Sequence, residues 1–506
     1  MKQATTLLLL LLSMAVLIVA CSLGDNRTNS GEGVAEDTEA AHRIEPYELV
    51  IAFPIFTNQR DMQLIEHQLS QITMKKINTT VKFITNNANA YVQQIPLLLA
   101  GNEKLDILIS GFGQYNVQVG KGQLKPLNEL LHLYGQGIKQ AIIDQNPLYL
   151  EATYVNGESY GVPSIRDLAT DYGFIMRKDL AEKHGIDVDA MKTFDDVEDA
   201  LRILKDKEPD LTLANSSDTT TGLYFERVWD NLGDNLGVVM FNDNSLKVVN
   251  GYETPEYKDI VTRLHNWYNA GYIAKDAATS TTGGAGEVKA GEAYGYLAQM
   301  KPGYEAQESM ATGYEMIAAR LMPPTSSTGN ITGLMWSIAH QSADPVRAMM
   351  FLNLLYTDPE VINLLSWGIE GEHYVRVAGT PQTIDYPKGI DATTSGYQLN
   401  MGWMFGNPLL SHVWNGEDPA IWDRLSNFNK SALMSPVMGF NFNTESVENE
   451  IEAAMNVLNQ YRVAFETGTI SPEKLPEFNA ALRLAGLDAI MQEKQRQLDA
   501  WKELKQ

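Results

Sequence analysis

Residues 47–53 (YELVIAF), 80–84 (TVKFI) and 106–110 (DILIS) are short β-rich apolar runs, and what lies between them decides the fold. Behind the first run, a loop carrying Pro54, Asn58 and Arg60 gives way to Met62, Ile65, Leu69 and Ile72, which recur at helical spacing. A second helical stretch runs from about Ala90 to Gly101, with Pro96 inside it expected to kink or shorten it. The unit is βαβαβ. Strands separated by helices pair in parallel through crossover connections, so this region predicts a doubly wound α/β sheet. Ligands of such sheets sit beyond the carboxyl ends of the strands. Here that edge is formed by the loops Pro54–Arg60 and Gly111–Tyr115.

Working outward, residues 157–163 (GESYGVP) read as a glycine-punctuated turn into an extended crossing, and Gly173–Arg177 resumes as a strand of a second region. Thr193 with Asp196 has the form of a capping box, after which Val197, Ala200, Leu201 and Leu204 line one helix face. Residues 252–271 predict an amphipathic helix with a glycine stop, its Tyr257, Leu264, Trp267 and Tyr268 packing into a core. Asp344-Pro345 and Asp358-Pro359 are N-cap plus N1-proline starts, so Val346–Tyr356 and Glu360–Trp367 should be consecutive helices. The tail, Thr444–Gln506, is again helical, with breaks expected at Gly468, Pro472, Pro476 and Gly486.

The chain has 506 residues, room for about three domains or two large ones. Hydrophobic residues make up 44% of it, which supplies real cores and excludes global disorder. A formal charge of −24 is repelled by phosphate backbones, so nucleic acid is not an expected partner. The single cysteine excludes an intramolecular disulfide, a zinc ribbon or a CxxC redox pair. That residue, Cys21, directly follows the apolar stretch Leu7–Ala20, too short for the roughly 20 residues of a spanning helix. Residues 1–20 are read as a secretory signal peptide. Ile18-Val19-Ala20-Cys21 resembles the bacterial lipobox, which implies lipidation at Cys21, and residues 21–43, almost free of aliphatics, read as a flexible tether.

Catalytic signatures are sparse. The eight histidines are scattered without HExxH or HxH spacing, so no metal site is expected. No Gly-x-Ser context completes GxSxG, and Gly283-Gly284-Ala285-Gly286 lacks the lysine of a phosphate loop and reads as a flexible connection. Glu370 with Glu372, or Asp167 with Asp171, are the carboxylate neighbours a surface glycoside hydrolase or lyase would use, and that enzyme is the alternative reading. More informative are the loops on the ligand side. Phe56, Asn58, Gln114, Tyr115, Arg166 and Asp167 mix aromatic faces with amides and charges, the complement of a sugar's apolar C–H faces and hydroxyl rim.

From Cys21 to the end the chain resembles a family 1 extracellular solute-binding lipoprotein of ABC importers, in a Gram-positive complex-carbohydrate subgroup with an extra C-terminal region. The resemblance is carried, in order, by VNGESYGVP (155–163), MRKDLAEKHGID (176–187), TFDDVEDAL (193–201), VVNGYETPEYKD (248–259), YNAGYIAKDAAT (268–279), LNLLYTDPEVINLLSWGIEGEHYV (352–375) and AGLDAIMQEKQRQLDAW (485–501). It implies an α/β, two-lobe, periplasmic-binding-protein-like fold (type II) with doubly wound sheets, a hinge of crossing segments and a helical C-terminal region. Crossings are implied near Pro163–Gly173, near Leu321–Trp336 and after residues 368–374, giving residues 44–168 plus 322–372 to one lobe and 169–321 plus 373–506 to the other. It further implies a monomeric, non-enzymatic receptor without cofactor, lipid-anchored at the extracellular face of the cell membrane, that captures an oligosaccharide and delivers it to ABC permease subunits. On this view Tyr160 and His373 serve fold or hinge, Trp336 and Trp403 are candidate stacking platforms, and Tyr224 and Gln299 are second-lobe contacts by loop position. A basic patch around Arg166, Lys301 or Arg320 would open the site to acidic sugars.

Overall fold

The computed structural model describes residues 45–57, 59–101, 103–215, 221–399 and 401–505; the leader, the lipobox cysteine and the tether lie outside them. Ten strands build the two main sheets: β1 (Tyr47–Ile55), β2 (Thr79–Asn87), β3 (Ile107–Gly111), β4 (Val162–Pro163), β5 (Thr170–Arg177), β6 (Thr212–Ala214), β7 (Ala293–Met300), β8 (Met316–Ser326), β9 (Leu334–Ile338) and β10 (Leu433–Met434). The first sheet has the order β2-β1-β3-β9-β4, with β1 parallel to both β2 and β3. This is the expected βαβαβ unit, extended on one side by β9, which arrives antiparallel from far along the chain.

Local sequence explains the helices of this unit. In Met62–Ile77, Ile65, Leu69, Thr73 and Ile77 fall every fourth residue and are buried. The helix closes on Asn78 in the left-handed conformation. Arg347, itself buried, donates to the Ile77 and Asn78 carbonyls at 2.9 and 2.8 Å, so a cation from a distant helix satisfies that helix terminus. Ala88–Ala100 starts at the Asn87 cap, runs through Pro96 and stops at Gly101; the proline does not shorten it.

The second sheet has the order β10-β8-β5-β7-β6 and is mixed, because β5 runs antiparallel to both β7 and β8 while β6 and β10 pair in parallel at the edges. The helix Phe194–Lys207 covers it with Val197, Ala200, Leu201 and Leu204, and Thr193 and Asp196 form the capping box in full. Pro255–Asn269 begins one turn later than the sequence pattern suggested, because Thr254 caps it and Pro255 opens it. Its Tyr257, Leu264 and Trp267 are core residues, while Tyr268 is only half-buried. Gly284–Ala290 is a short helix, not the flexible connection expected; a Cβ on Gly284 would meet the Tyr296 ring at 2.5 Å.

The tail forms the helices Glu448–Glu466, Leu475–Leu484 and Leu487–Lys505. Pro476 falls in the first turn of the second of these, so it starts a helix and does not break one. Leu458, Phe465, Phe478, Leu482, Leu487 and Ile490 enter the core beneath the second sheet. Lys494, fully buried, seals the contact by donating to the Asp234 carboxylate and, at 3.1 Å, to the Gly237 carbonyl. Burial lowers its ammonium pKa against the pull of that carboxylate.

One expected boundary is displaced. The family resemblance gives residues 373–432 to the second lobe, yet Tyr397, Leu399, Met401, Met404 and Phe405 pack in the first core, and the Tyr397 hydroxyl donates to the Leu365 carbonyl at 2.6 Å. The third crossing therefore falls at the end of the helix Ile421–Ser431, where the chain passes into β10 beside β8. Apolar burial in the first core, which no local periodicity announces, holds the intervening segment there.

Candidate ligand-binding site

The two sheets are joined by three segments: 164–169 between β4 and β5, 327–333 between β8 and β9, and the passage from the helix Ile421–Ser431 into β10. Side chains stitch them together. Ser326 donates its hydroxyl to the Leu168 carbonyl at 2.6 Å, and the Ser435 amide donates to the Ser326 carbonyl at 2.8 Å. Asn429, buried on the third crossing, accepts the Leu168 amide and donates to the Arg166 carbonyl. The first-lobe turn 402–406 is tied to the first crossing, with Ser164 donating to the Met404 carbonyl at 2.5 Å and the Ile165 amide to the Gly406 carbonyl at 2.6 Å.

The first lobe brings aromatic surface to this junction. Phe56, on the loop after β1, is 56% exposed, and its ring centroid lies 6.1 Å from that of Trp403 in the 402–406 turn. Phe112, on the loop after β3, is 39% exposed and holds φ of +54°, a conformation that costs a bulky residue roughly 1–2 kcal/mol. Its amide donates to the Gly333 carbonyl of the second crossing at 3.0 Å. Gly111 permits that approach, since a Cβ there would lie 2.5 Å from the Gly333 oxygen. Phe112 thus combines backbone strain with exposure on a ligand-side loop.

The crossings and second lobe bring charge. Arg166 Nη1 lies 3.4 Å from Asp167 Oδ1, and Arg166 Nη2 donates to the Asn330 carbonyl at 2.7 Å. Lys301, just past β7, meets Asp167 Oδ2 at 3.3 Å. Arg320, on β8, bonds Asp171 Oδ2 through Nε and Glu305 Oε1 through Nη2, both at 3.0 Å. Behind them buried Arg227 pairs with Glu226 at 3.2 Å and donates to Thr170. Asp171 is 5% exposed; burial pushes its carboxyl up to about 6, with Arg320 pulling the other way. Aromatic rim and charged array are adjacent, because Arg166 Nη2 lies 3.5 Å from the Cβ position of Gly333, the residue that receives Phe112.

Among the residues singled out from sequence, Phe56 pairs with Trp403 and Arg166 with Asp167 around the crossings, and half-buried Gln114 stands at the N-terminus of the short helix Tyr115–Gly120 without a side-chain cap. Gln299 sits on β7 opposite Tyr172, two residues before Lys301. Three belong elsewhere. Tyr115 is buried, donating its hydroxyl to the Thr153 carbonyl at 2.5 Å and receiving the Tyr160 amide, so it braces the first lobe. Trp336 is 1% exposed, wedged against Phe405 and Phe53 with its indole N–H on the Met404 carbonyl at 2.7 Å. It supports the turn that carries Trp403 and cannot stack on a ligand. Tyr224 packs edge-on against Tyr172, Phe194 and Phe225 in the second core. Asn58 and Cys21 lie outside the described residues.

The sequence reading missed Phe112, although the Gly111-Phe112-Gly113 frame on a ligand-side loop was the available signal. Asp171 and Arg320 were visible only singly, because the register that sets them side by side spans β5 and β8.

Asp61, Glu372 and His373 place ligand-type atoms within 4.8 Å of one another. The Ile369 amide donates to His373 Nδ1 at 2.9 Å, so the ring's hydrogen sits on Nε2, which faces Asp61 Oδ2 at 3.2 Å. That hydrogen fills the position a cation would take, and His373 serves to fasten the loop after β1 to the helix Pro359–Trp367.

Two sheet-cored lobes joined by three stitched crossings, with aromatic and charged side chains gathered at the junction, define a two-lobe binding protein. The family model for bacterial extracellular solute-binding proteins matches residues 69–362, more than half of the chain, and the chain belongs to that family. A domain of unknown function matches residues 436–503, the helical tail. A carbohydrate ABC transporter substrate-binding protein of Streptococcus pneumoniae is 27% identical over 437 residues, covering 81% of this chain and 82% of that protein. Lipoprotein LipO of Bacillus subtilis is 34% identical over 139 residues, 26% of each chain. Among solved structures, the N-glycan transport solute binding protein NgtS of Streptococcus pneumoniae superposes with a TM-score of 0.80 at 24% identity, over 91% of this chain and 100% of that one. Its complexes with Man1GlcNAc and Man5GlcNAc, also 24% identical, superpose at 0.69 and 0.66 over 90% and 91% of this chain and 99% and 100% of theirs. The fold is thus the mixed α/β two-lobe fold of solute-binding proteins, with a helical C-terminal region.

Proposed function

We propose that this chain is the capture component of a carbohydrate importer, which holds an oligosaccharide between its lobes and hands it intact to the permease subunits of an ABC transporter. The observation that carries the reading is the meeting at one junction of the exposed rings of Phe56 and Phe112 and the half-buried ring of Trp403 with the array of Arg166, Asp167, Lys301 and Arg320. Rings take the C–H faces of a pyranose, and charged side chains bond its hydroxyls. Family membership and the carbohydrate-transporter relative support it. The lower superposition scores against sugar-complexed NgtS are in keeping with a different lobe arrangement of one fold. A ligand touching both lobes favours the closed arrangement, and a full 1:99 to 99:1 shift takes about 5.5 kcal/mol of differential binding.

The same reading makes the chain a monomer at the outer face of the cell membrane, acylated at Cys21 after loss of residues 1–20 and spaced from the lipid by residues 21–43; likeness to a lipoprotein supports the anchor. Among the described residues no helix is long and apolar enough to cross a membrane. The receptor is not an enzyme on this view. Both carboxylates are held in ion pairs, Asp167 by Arg166 and Lys301 and buried Asp171 by Arg320 through Oδ2, which favours an organising role over proton transfer.

Melting shifts across a panel of saccharides test this, because stabilisation grows as RT ln(1 + [L]/Kd). Expected is a rise with an oligosaccharide and an unchanged chromatogram of that sugar after long incubation. A panel that stays silent while a peptide or polyamine raises the melting temperature removes the carbohydrate claim, and shorter products move the protein to the hydrolases.

A further inference from the structure

The junction also specifies the charge of its guest. Each cation of the charged array already has a carboxylate: Arg166 and Lys301 share Asp167, and Arg320 is held between Asp171 and Glu305. Arg60, on the loop after β1 and outside this array, is exposed and donates to the Thr394 carbonyl at 2.8 Å instead of to a carboxylate. Across the array three cations face three carboxylates, so it carries hydrogen-bonding capacity without surplus charge.

Resting on the receptor reading above, we infer that the junction selects uncharged, hydroxyl-bearing oligosaccharides and rejects those bearing uronate or other carboxylates, because Asp167 and Glu305 occupy the positions on Arg166, Lys301 and Arg320 that an acidic sugar would need. A neutral hydroxyl both donates and accepts. It bonds a remaining lone pair of Asp167 or a remaining N–H of Lys301, whose ammonium has three donors, and leaves every ion pair intact. A carboxylate only accepts. To reach Arg166 or Lys301 it must displace Asp167, whose side chain is 22% exposed, or lie beside it as a like charge. The route through Arg320 meets the same obstacle twice, with Glu305 at the rim and Asp171 behind.

The inference is tested by calorimetric titration of the mature chain with neutral trisaccharides of mannose, glucose and N-acetylglucosamine and with trimers of mannuronate, glucuronate and galacturonate. At least one neutral trimer should bind, with every uronate at least about tenfold weaker. Asp167→Asn unmasks Arg166 and Lys301 and should narrow that gap about tenfold, the effect growing at low salt. Glu305→Gln, which frees Arg320 from the rim without touching a crossing, should narrow it too and serves if the first variant does not fold. A uronate that binds the unaltered protein as tightly as any neutral trimer, or a gap unmoved in folded variants, overturns the inference and leaves the receptor reading standing. Binding of neither class at any concentration overturns the receptor reading itself.

Discussion

Asn429 accepts the Leu168 backbone amide on Oδ1 at 3.1 Å, and through this one side chain the third crossing holds the first. Its Nδ2 donates to the Arg166 carbonyl at 2.8 Å, and its own carbonyl receives the Tyr149 hydroxyl at 2.9 Å. The side chain is fully buried, so truncation strips the Leu168 amide and the Arg166 carbonyl, which also meet each other at 2.8 Å, of one buried partner each, at a cost of about 1–3 kcal/mol in all. Asn429→Ala should lower thermal stability by several degrees and loosen Arg166, weakening ligand binding as well. A melting curve and an affinity both equal to those of the parent protein would take Asn429 out of the hinge.

The aromatic rim separates binding from stability. Phe56 is more exposed than buried, so Phe56→Ala removes little packing. It should leave the melting temperature within a degree or two while lowering oligosaccharide affinity about tenfold, the range of a lost ring stack. Trp403→Ala should cost more affinity and some stability, because half of that indole rests on the first core. Equal affinities for parent and both variants would show that the sugar lies elsewhere.

Phe112 should show the opposite sign in the two readouts. Its φ of +54° is strained for a ring-bearing residue and free for glycine, so Phe112→Gly relieves roughly 1–2 kcal/mol against the roughly 0.5–1 kcal/mol that glycine adds to the entropy of the unfolded chain. The variant should melt no lower than the parent and bind sugar more weakly. A large drop in melting temperature would mean that the ring packs, and that its strain has no bearing on ligand.

How far such residues can be read from sequence depends on whether their signal is local. The strand and helix unit of the first lobe, the Thr193–Asp196 capping box and the Asp-Pro helix starts at 344 and 358 each rest on neighbours within a few positions, and each stands in the structure. The ligand-side loops were legible for the same reason, since they follow from where β1 and β3 end. What failed was non-local. Trp336 and Trp403 look alike as isolated tryptophans, and only the pairing of β9 with β3 and β4 buries the first while the turn 402–406 lifts the second. Tyr115 lies on the right loop but points inward, because its hydroxyl donates to the Thr153 carbonyl and accepts the Tyr160 amide. Of the ion pairs on which charge selectivity turns, Arg166 with Asp167 is local, but Lys301 with Asp167 and Arg320 with Asp171 join residues more than a hundred positions apart and have no trace in composition.

The buried carboxyls give the protein a stability profile tilted toward mild acid. Burial raises Glu466, at the end of the helix Glu448–Glu466, from an ordinary 4.5 to about 7, with Arg462 opposing, and raises Asp171 from 3.8 to about 6, with Arg320 opposing. In both cases the folded chain holds the proton more tightly than the unfolded one. Their stabilising contribution is therefore complete below the unfolded values near 4 and is lost as pH rises through 6 to 7. Melting temperature should climb as pH falls from about 7.5 to about 5. It should turn down below about pH 4, where carboxylates held low in the fold by hydrogen bonds, such as Glu493 and Asp391, both lowered to about 2, lose their contribution progressively between their unfolded and folded values. Glu466→Gln carries a permanently neutral group at the same place, so it should raise the melting temperature at neutral pH, change it little at about pH 5, and flatten the slope between. A profile that falls steadily on acidification from neutral pH, or one that Glu466→Gln leaves as steep as before, would show that these carboxyls are ionised without cost in the folded protein.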